Sequence, residues 1–107
     1  PQAYYNRGVL KSKSRDNQGA LDDFNKALGV NPKLTQAYVN RGVVKDELGD
    51  ILGAIEDYNK AITLNPKFAE AYYNRGVAKA KLGNRQGTCA DWNKAKELGL
   101  IQIESMI

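Results

Sequence analysis

Apolar residues recur three and four positions apart along most of the chain, which is the spacing of one face of an α-helix. In the central third, two such stretches cover residues 36–48 and 52–64, and Gly49-Asp50 separates them. A glycine at that point is typical of the residue that follows the last turn of a helix. The pattern therefore predicts antiparallel pairs of helices joined by tight turns, and no strand.

This helical pattern returns every 34 residues. The letters YYNRGV occupy residues 4–9 and 72–77, and the near copy YVNRGV occupies residues 38–43. Asn-Pro at 31–32 and 65–66 ends the second helix of the first two units. Self-similarity at a fixed period of this length is the signature of a repeat array. We therefore divide the chain into three units and a short tail: residues 1–34, 35–68, 69–102 and 103–107.

The unit resembles the tetratricopeptide repeat, a helix–turn–helix in which a large residue, a glycine, a small, an aromatic and a small residue precede a proline. The central unit carries them as Tyr38, Gly42, Ala54, Tyr58, Ala61 and Pro66. The first unit carries Tyr4, Gly8, Ala20, Phe24, Ala27 and Pro32, and the third carries Tyr72, Gly76, Thr88, Trp92, Ala95 and Leu100. The resemblance implies one all-α domain over residues 1–107: a right-handed superhelical solenoid of six helices, with room for a short C-terminal capping helix.

Charged residues also follow the period. Arginine precedes the repeated glycine, where the family more often has leucine, and aspartate recurs on each second helix. These positions are Arg7, Arg41 and Arg75, with Asp23, Asp57 and Asp91. We expect Arg–Asp pairs between packed helices rather than a row of ligand-binding charges. Trp92 takes the place of Phe24 and Tyr58 and is expected in the core. Cys89 takes the place of Leu21 and Ile55, so we expect a small buried residue rather than a reactive thiol.

An asparagine stands in the middle of each repeated hexamer, although packing does not need it. In the family, this stripe of each first helix lines a concave groove. An asparagine amide can bond both the N–H and the C=O of a peptide. Packed helices lie about 8–10 Å apart, and an extended chain advances about 10 Å in three residues. The sequence therefore predicts a groove for an extended peptide, lined by Asn6, Asn40, Asn74, Tyr5, Tyr73, Val9, Val43, Val77, Lys13 and Lys81.

Three other functions compete with this one. The family's carboxylate clamp for C-terminal tails is disfavoured, because the clamp positions hold Tyr5, Val9, Asn40, Glu70 and Asn74 and only Asn40 matches. RNA binding has the basic pI of 9.2 in its favour, but acidic residues interrupt the lysines of the groove. Self-association would use the ends of the solenoid, around Tyr4 and in the tail from Leu100 to Ile107.

The amino-acid composition further limits the kinds of function that the chain can have. The chain has 107 residues, a net charge of +4, a single cysteine and no histidine. The lack of histidine removes the commonest general base and metal ligand, so we expect a non-enzymatic protein without a catalytic site, metal or cofactor. The apolar runs of the sequence are too short to cross a bilayer. We take the cytoplasm as the default compartment. Because the sequence does not begin with methionine, we expect it to be a fragment of a longer protein.

Overall fold

The computed structural model describes residues 2–99, and all regular structure in that range is α-helical. Six helices follow one another: α1 (Gln2–Lys13), α2 (Asn17–Val30), α3 (Thr35–Glu47), α4 (Ile51–Leu64), α5 (Ala69–Lys81) and α6 (Arg85–Glu97). The two helices of the central unit begin one residue before the predicted positions. Within residues 2–99, no helix has the length and apolarity that a bilayer crossing requires. The expected capping helix in the tail lies outside the described residues.

The helices form an all-α repeat solenoid. Each odd-numbered helix packs on the even-numbered helix that follows it, and α2 and α4 also pack on the first helix of the next unit. In addition α1 contacts α3 and α3 contacts α5, whereas α2, α4 and α6 do not contact one another. The first helices are therefore the more closely spaced row, which makes their exposed side the inner surface of a curved stack.

Small and aromatic residues of the repeat build the core. One cluster joins Ala54 and Tyr58 of α4 to Ala71 and Ala78 of α5, and Ile55 and Ile62 pack against it. A second cluster joins Phe24 of α2 to Val44 of α3. Both clusters cross from one unit to the next, so each unit buries its apolar face only with the help of its neighbour.

Side-chain caps begin the second helix of every unit. Asp16, Asp50 and Asn84 precede these helices, and each side chain accepts a hydrogen bond from the backbone N–H three residues later. That third residue is always one of the repeated glycines, as at Gly53. A β-carbon at Gly53 would overlap the carboxylate of Asp50. The second set of repeated glycines therefore makes room for the cap.

The turn inside the first unit keeps the geometry of the others although it lacks their glycine. Gly49 and Gly83 have φ values of 91° and 80°, and Arg15 at the same position has a φ of 67°. The N–H of Asp16 still bonds to the carbonyl of Lys11 at 2.8 Å, as Asp50 bonds to Lys45. The first unit therefore forms the same turn with an arginine in the left-handed region.

The first set of repeated glycines lies where two helices touch. A β-carbon on Gly42 would lie 2.6 Å from Cε1 of Tyr58, and one on Gly8 would lie 2.8 Å from Cε1 of Phe24. Both aromatic rings are fully buried, so they have little freedom to move aside. Glycine is thus the residue that lets α3 approach α4 and α1 approach α2.

Replacing Gly42 by leucine should lower the free energy of unfolding by about 1–3 kcal/mol, because the new side chain overpacks the contact with Tyr58. Chemical denaturation measures the loss. Gly29 is the matched control, since a β-carbon there would meet nothing within 4 Å. A Gly42→Leu variant as stable as wild type would contradict the close approach of the two helices.

Candidate functional site

The repeated arginines and aspartates form ion pairs inside the units. In the central unit, Arg41 donates from Nε to Oδ2 of Asp57 at 2.9 Å and from Nη2 to Oδ1 at 2.7 Å. Arg7 pairs with Asp23, and Arg75 with Asp91, in the same two-pronged way. All three aspartates are buried. The prediction of structural pairs is confirmed.

Each buried aspartate also has a second cation that sequence reasoning missed. Lys45 Nζ lies 3.2 Å from Oδ2 of Asp57, while Lys11 and Lys79 lie 3.1 Å from the equivalent oxygens of Asp23 and Asp91. These lysines follow the arginines by four residues, which places both cations on one face of the helix. In the first unit, the hydrogen bonds from Arg7 hold the pKa of Asp23 at about 2, against the opposing effect of burial. The charges of these arginines, lysines and aspartates are therefore paired with one another within the fold.

The candidate binding surface is the inner groove, which we define as the exposed side of α1, α3 and α5. Its centre is Asn40, whose amide has two partners. Nδ2 of Asn40 donates to the hydroxyl of Tyr5 at 3.1 Å, and Nε2 of Gln36 donates to Oδ1 of Asn40 at 3.0 Å. Gln36 also donates to Oε1 of Glu70 at 2.9 Å. A polar chain thus crosses all three units, and it leaves Asn40 one N–H and one lone pair for a ligand.

The other two asparagines, Asn6 and Asn74, make fewer hydrogen bonds than Asn40 within the described residues. Asn6 is exposed and accepts one hydrogen bond, from Gln2 at 3.0 Å. Asn74 is half-buried, and its amide has no hydrogen-bond partner within residues 2–99. The structure therefore places one asparagine per unit in a row along the inner groove, with free hydrogen-bonding capacity at each.

Aromatic residues flank the row at its two ends. The ring of Tyr5 packs against Phe24 with centroids 6.0 Å apart, and Tyr73 stacks on Trp92 at 5.9 Å. Burial raises the pKa of Tyr5, and the hydrogen bond from Asn40 offsets part of that rise. The equivalent residue of the central unit is Val39, which is buried. Valine is too short to reach the groove and packs between the helices.

An apolar cleft opens beside the central asparagine. Its volume is about 200 Å³, and most of its lining surface is apolar although half of the lining residues are polar: Val9, Ser12, Lys13, Phe24, Asn40 and Val43. It continues into a polar cleft lined by Ser12, Lys13, Arg15, Asn17 and Glu47. Among the described residues, Oδ1 of Asn17 is buried there without a hydrogen-bond partner. The two clefts share Lys13, which has no ion-pair partner within residues 2–99.

The predicted lysines differ in their availability. Lys13 is exposed between the two clefts, whereas Nζ of Lys81 lies 2.8 Å from Oδ1 of Asp46. That ion pair ties α5 to α3, so Lys81 contributes to the stacking of units. Val77 of the third unit is half-buried and does not line the apolar cleft.

Two expectations about the third unit have different outcomes. Trp92 lies against Gly76 in the slot of Phe24 and Tyr58, as predicted, but it is half-buried where they are fully buried. Its indole donates to the carbonyl of Tyr73 at 3.2 Å. Cys89 was expected to be buried, and that expectation is wrong because its side chain is exposed. Its counterpart Ile55 packs against the following unit, and no described helix follows α6.

The described part of the chain has no cluster of side chains that could hold a metal ion. The one cysteine stands alone, and the buried aspartates are each paired with two cations. What the inner groove offers is hydrogen bonding, an apolar cleft and one unpaired positive charge.

Comparisons with solved structures give the same fold. MamA matches with a TM-score of 0.87 and 31% identity over 96% of this chain, which spans 60% of that protein. The TPR domain of Arabidopsis OM64 matches at 0.90 with 26% identity, covering 92% of this chain and 81% of that one. The first TPR of Spaghetti (RPAP3), solved bound to the HSP90 peptide SRMEEVD, matches at 0.89 with 24% identity over 92% and 78%.

Sequence comparison identifies the repeats themselves. A model described as tetratricopeptide repeat matches residues 1–34, and one described as TPR repeat matches residues 44–83. No curated protein matches the chain. The period, the helix pairs, the glycine contacts and these matches agree: the chain belongs to the tetratricopeptide repeat family.

Proposed function

We propose that this chain is a protein-interaction scaffold that binds an extended peptide in its inner groove. The proposal is supported by one asparagine at the same position of each first helix, Asn6, Asn40 and Asn74, each with hydrogen-bonding groups that are unused within residues 2–99. The spacing of packed helices, about 8–10 Å, matches three residues of an extended chain. One amide per unit suits the backbone of a peptide that crosses the stack.

The clefts indicate which side chains the peptide carries. The lining of the apolar cleft beside Asn40 includes Val9, Val43 and Phe24, which suits an aliphatic side chain. Lys13 at its edge is exposed and unpaired within residues 2–99, and Arg15 lies in the adjoining polar cleft with Glu47. We expect a peptide in which an aliphatic residue stands next to an acidic one.

A carboxylate clamp for terminal tails fits less well. In the family that clamp needs lysine and asparagine at the positions that Tyr5 and Val9 occupy here, and lysine and arginine at those of Glu70 and Asn74. A glutamate there would repel a terminal carboxylate rather than hold it. The proposed ligand is therefore an internal extended segment.

Selection from a library of random displayed peptides tests the proposal on the full chain. The selected peptides should share an aliphatic residue beside Asp or Glu. Lys13→Glu should weaken their binding about three- to tenfold, because an exposed ion pair worth up to about 1 kcal/mol is lost and replaced by repulsion. Lys60→Glu is the control, since it changes the charge equally on the outer helix α4.

Three outcomes would count against the proposal. The first is a library that yields no binder, and the second is a set of selected peptides that bind both variants as tightly as wild type. The third is binding of any polyanion with an affinity that falls steeply as the salt concentration rises. The last result would indicate nucleic-acid binding, whose affinity depends on phosphate contacts and counterion release.

A further inference from the structure

The inner groove has two gaps between its helices, which the repeat builds from equivalent residues. We call the space between α1 and α3 the first gap and the space between α3 and α5 the second gap. The apolar cleft opens in the first gap, where Val9 and Val43 belong to its lining. One repeat later, the same two positions hold Val43 and Val77 in the second gap. The repeated sequence alone would therefore make the two gaps alike.

Two residues distinguish the gaps. The first gap has Ser12 on α1 and Glu47 on α3, and both line its polar cleft. The equivalent residues of the second gap are Asp46 and Lys81, whose Oδ1 and Nζ lie 2.8 Å apart. A serine and a glutamate cannot form such an ion pair, and Glu47 has no ion-pair partner within residues 2–99. An ion pair thus bridges the second gap at the place where the first gap has a cleft.

The bridge is more than a contact between two exposed side chains. The side chain of Asp46 is 11% exposed and that of Lys81 is 50% exposed, so the ammonium reaches a carboxylate that is largely withdrawn from water. Such an ion pair is screened less than one between two fully exposed side chains. A ligand side chain that entered the second gap would have to displace Lys81 and leave Asp46 without its partner, which is costly for a mostly buried charge.

The charges of the first gap also depart from the repeat. Its polar cleft is lined by two cations, Lys13 and Arg15, and by one carboxylate, that of Glu47, so positive charge is in excess. Arg15 has a φ of 67°, which glycine adopts more readily, and the other two units have glycine there. Duplication of the repeat therefore does not account for this cation. Among the described residues Oδ1 of Asn17 is buried without a hydrogen-bond partner, and an N–H of a ligand would satisfy it.

We propose that the bound peptide is anchored in the first gap alone, by one aliphatic residue and the acidic residue next to it, and that the ion pair of Asp46 and Lys81 keeps a second aliphatic residue out of the second gap. The inference rests on the proposed function in taking the ligand to be a peptide. Three equal units would select a peptide that repeats its anchor about every three residues, which is the distance between packed helices. The unequal gaps select a peptide with a single anchor and so fix its register on the stack.

Titration of the full chain with a capped leucyl-aspartate dipeptide tests the anchor without the rest of a peptide. Methyl resonances in NMR spectra are the readout, because Val9 borders only the first gap and Val77 only the second. In wild type, the Val9 methyls should shift and saturate at about millimolar dipeptide, as expected of a small ligand, while those of Val77 should not shift. A capped glycyl-aspartate dipeptide is the control and should shift Val9 much less, because it has no side chain for the cleft.

Removing the bridge should make the second gap accessible. In Asp46→Ala/Lys81→Ala the ion pair is gone, and the leucyl-aspartate dipeptide should then shift the Val77 methyls as well. Lys81→Ala alone removes the bridging ammonium and should have the same effect, which keeps the test valid if the double variant is unstable.

Building the bridge into the first gap should close it. Ser12→Asp/Glu47→Lys places the residues of the ion pair at the equivalent positions, and it should weaken the Val9 response about tenfold or more, because the leucine side chain loses its place of burial. Glu47→Lys alone adds the same lysine without a carboxylate at residue 12. It should not weaken the Val9 response, since a further cation attracts the aspartate of the dipeptide.

Four results would overturn the proposal. In wild type, Val9 does not respond or Val77 responds equally; in the variants, neither alanine substitution brings a response at Val77 or the transferred ion pair leaves the response of Val9 intact. The proposed function fails on a different result, a peptide library without any binder. A dipeptide that shifts Val9 alone would still support the single anchor in that case, because the titration does not depend on the row of asparagines.

Discussion

Replacing Arg41 by leucine is expected to lower the free energy of unfolding by up to about 3–5 kcal/mol, which is the cost when the breaking of a buried ion pair leaves a charge uncompensated. The carboxylate of Asp57 has no exposed surface, and Arg41 donates two hydrogen bonds to it at 2.9 and 2.7 Å. After the substitution only Lys45, at 3.2 Å, would remain. The result is of interest because leucine is the residue that the family more often has at this position.

A second substitution should recover much of the loss. In Arg41→Leu/Asp57→Ala the buried carboxylate is gone, and replacing a buried pair by apolar groups is often close to neutral. Arg7→Leu is the matched control for position: its side chain is 54% exposed, so water can reach Asp23 when the guanidinium is removed. Urea denaturation of the variants decides the matter. An Arg41→Leu protein with wild-type stability would show that the pair contributes nothing.

Replacing Asn6, Asn40 and Asn74 together by alanine is expected to weaken binding of the selected peptides about ten- to a thousandfold. The range follows from about 0.5–1.5 kcal/mol for each neutral hydrogen bond lost. The helices should remain intact, because alanine is the better helix former. The loss should vary little among peptides, since contacts with a peptide backbone do not discriminate between side chains.

Three further variants test whether the loss of peptide binding comes from the asparagines of the inner groove. Asn93→Ala removes an exposed asparagine of α6, outside the inner groove, and should leave binding unchanged. Tyr5→Phe removes the hydroxyl to which Asn40 donates but keeps every asparagine, so it should cost less than Asn40→Ala. Asn74→Ala tests a single amide that has no partner within residues 2–99. Isothermal titration calorimetry with one selected peptide measures the affinity of every variant. If the triple variant binds as tightly as wild type, the asparagines recur only because the repeats were duplicated.

The repeated sequence was enough to predict many structural features of this protein. A contact that recurs three times leaves three copies of its sequence requirement, so Arg41 could be assigned to a pair with an aspartate. The helix boundaries of the central unit followed from Gly49 and Asn65-Pro66, because turn chemistry is local. The row of asparagines in the inner groove was predicted from the same periodicity, and its role in binding stays a prediction.

Other features needed the structure because they depend on what lies across from a residue. The position that holds Tyr5 in the first unit holds Val39 in the second, and only packing shows that the valine is buried. Lys45 shares Asp57 with Arg41, and Lys81 is held by Asp46 from another unit. None of these partners can be assigned from spacing along one helix.

By itself, the sequence determined the 34-residue period, the pairing of helices and the residues that each unit buries against itself. Only the tertiary structure decided which copies of a repeated residue are covered. Leu10 and Val44 satisfy the same repeat position, yet one is 67% exposed and the other fully buried. Cys89 and Ile55 differ in the same way at the other end. A periodic sequence specifies the contacts that each unit can make, but burial requires a neighbour on the correct side, and that is a property of the stack.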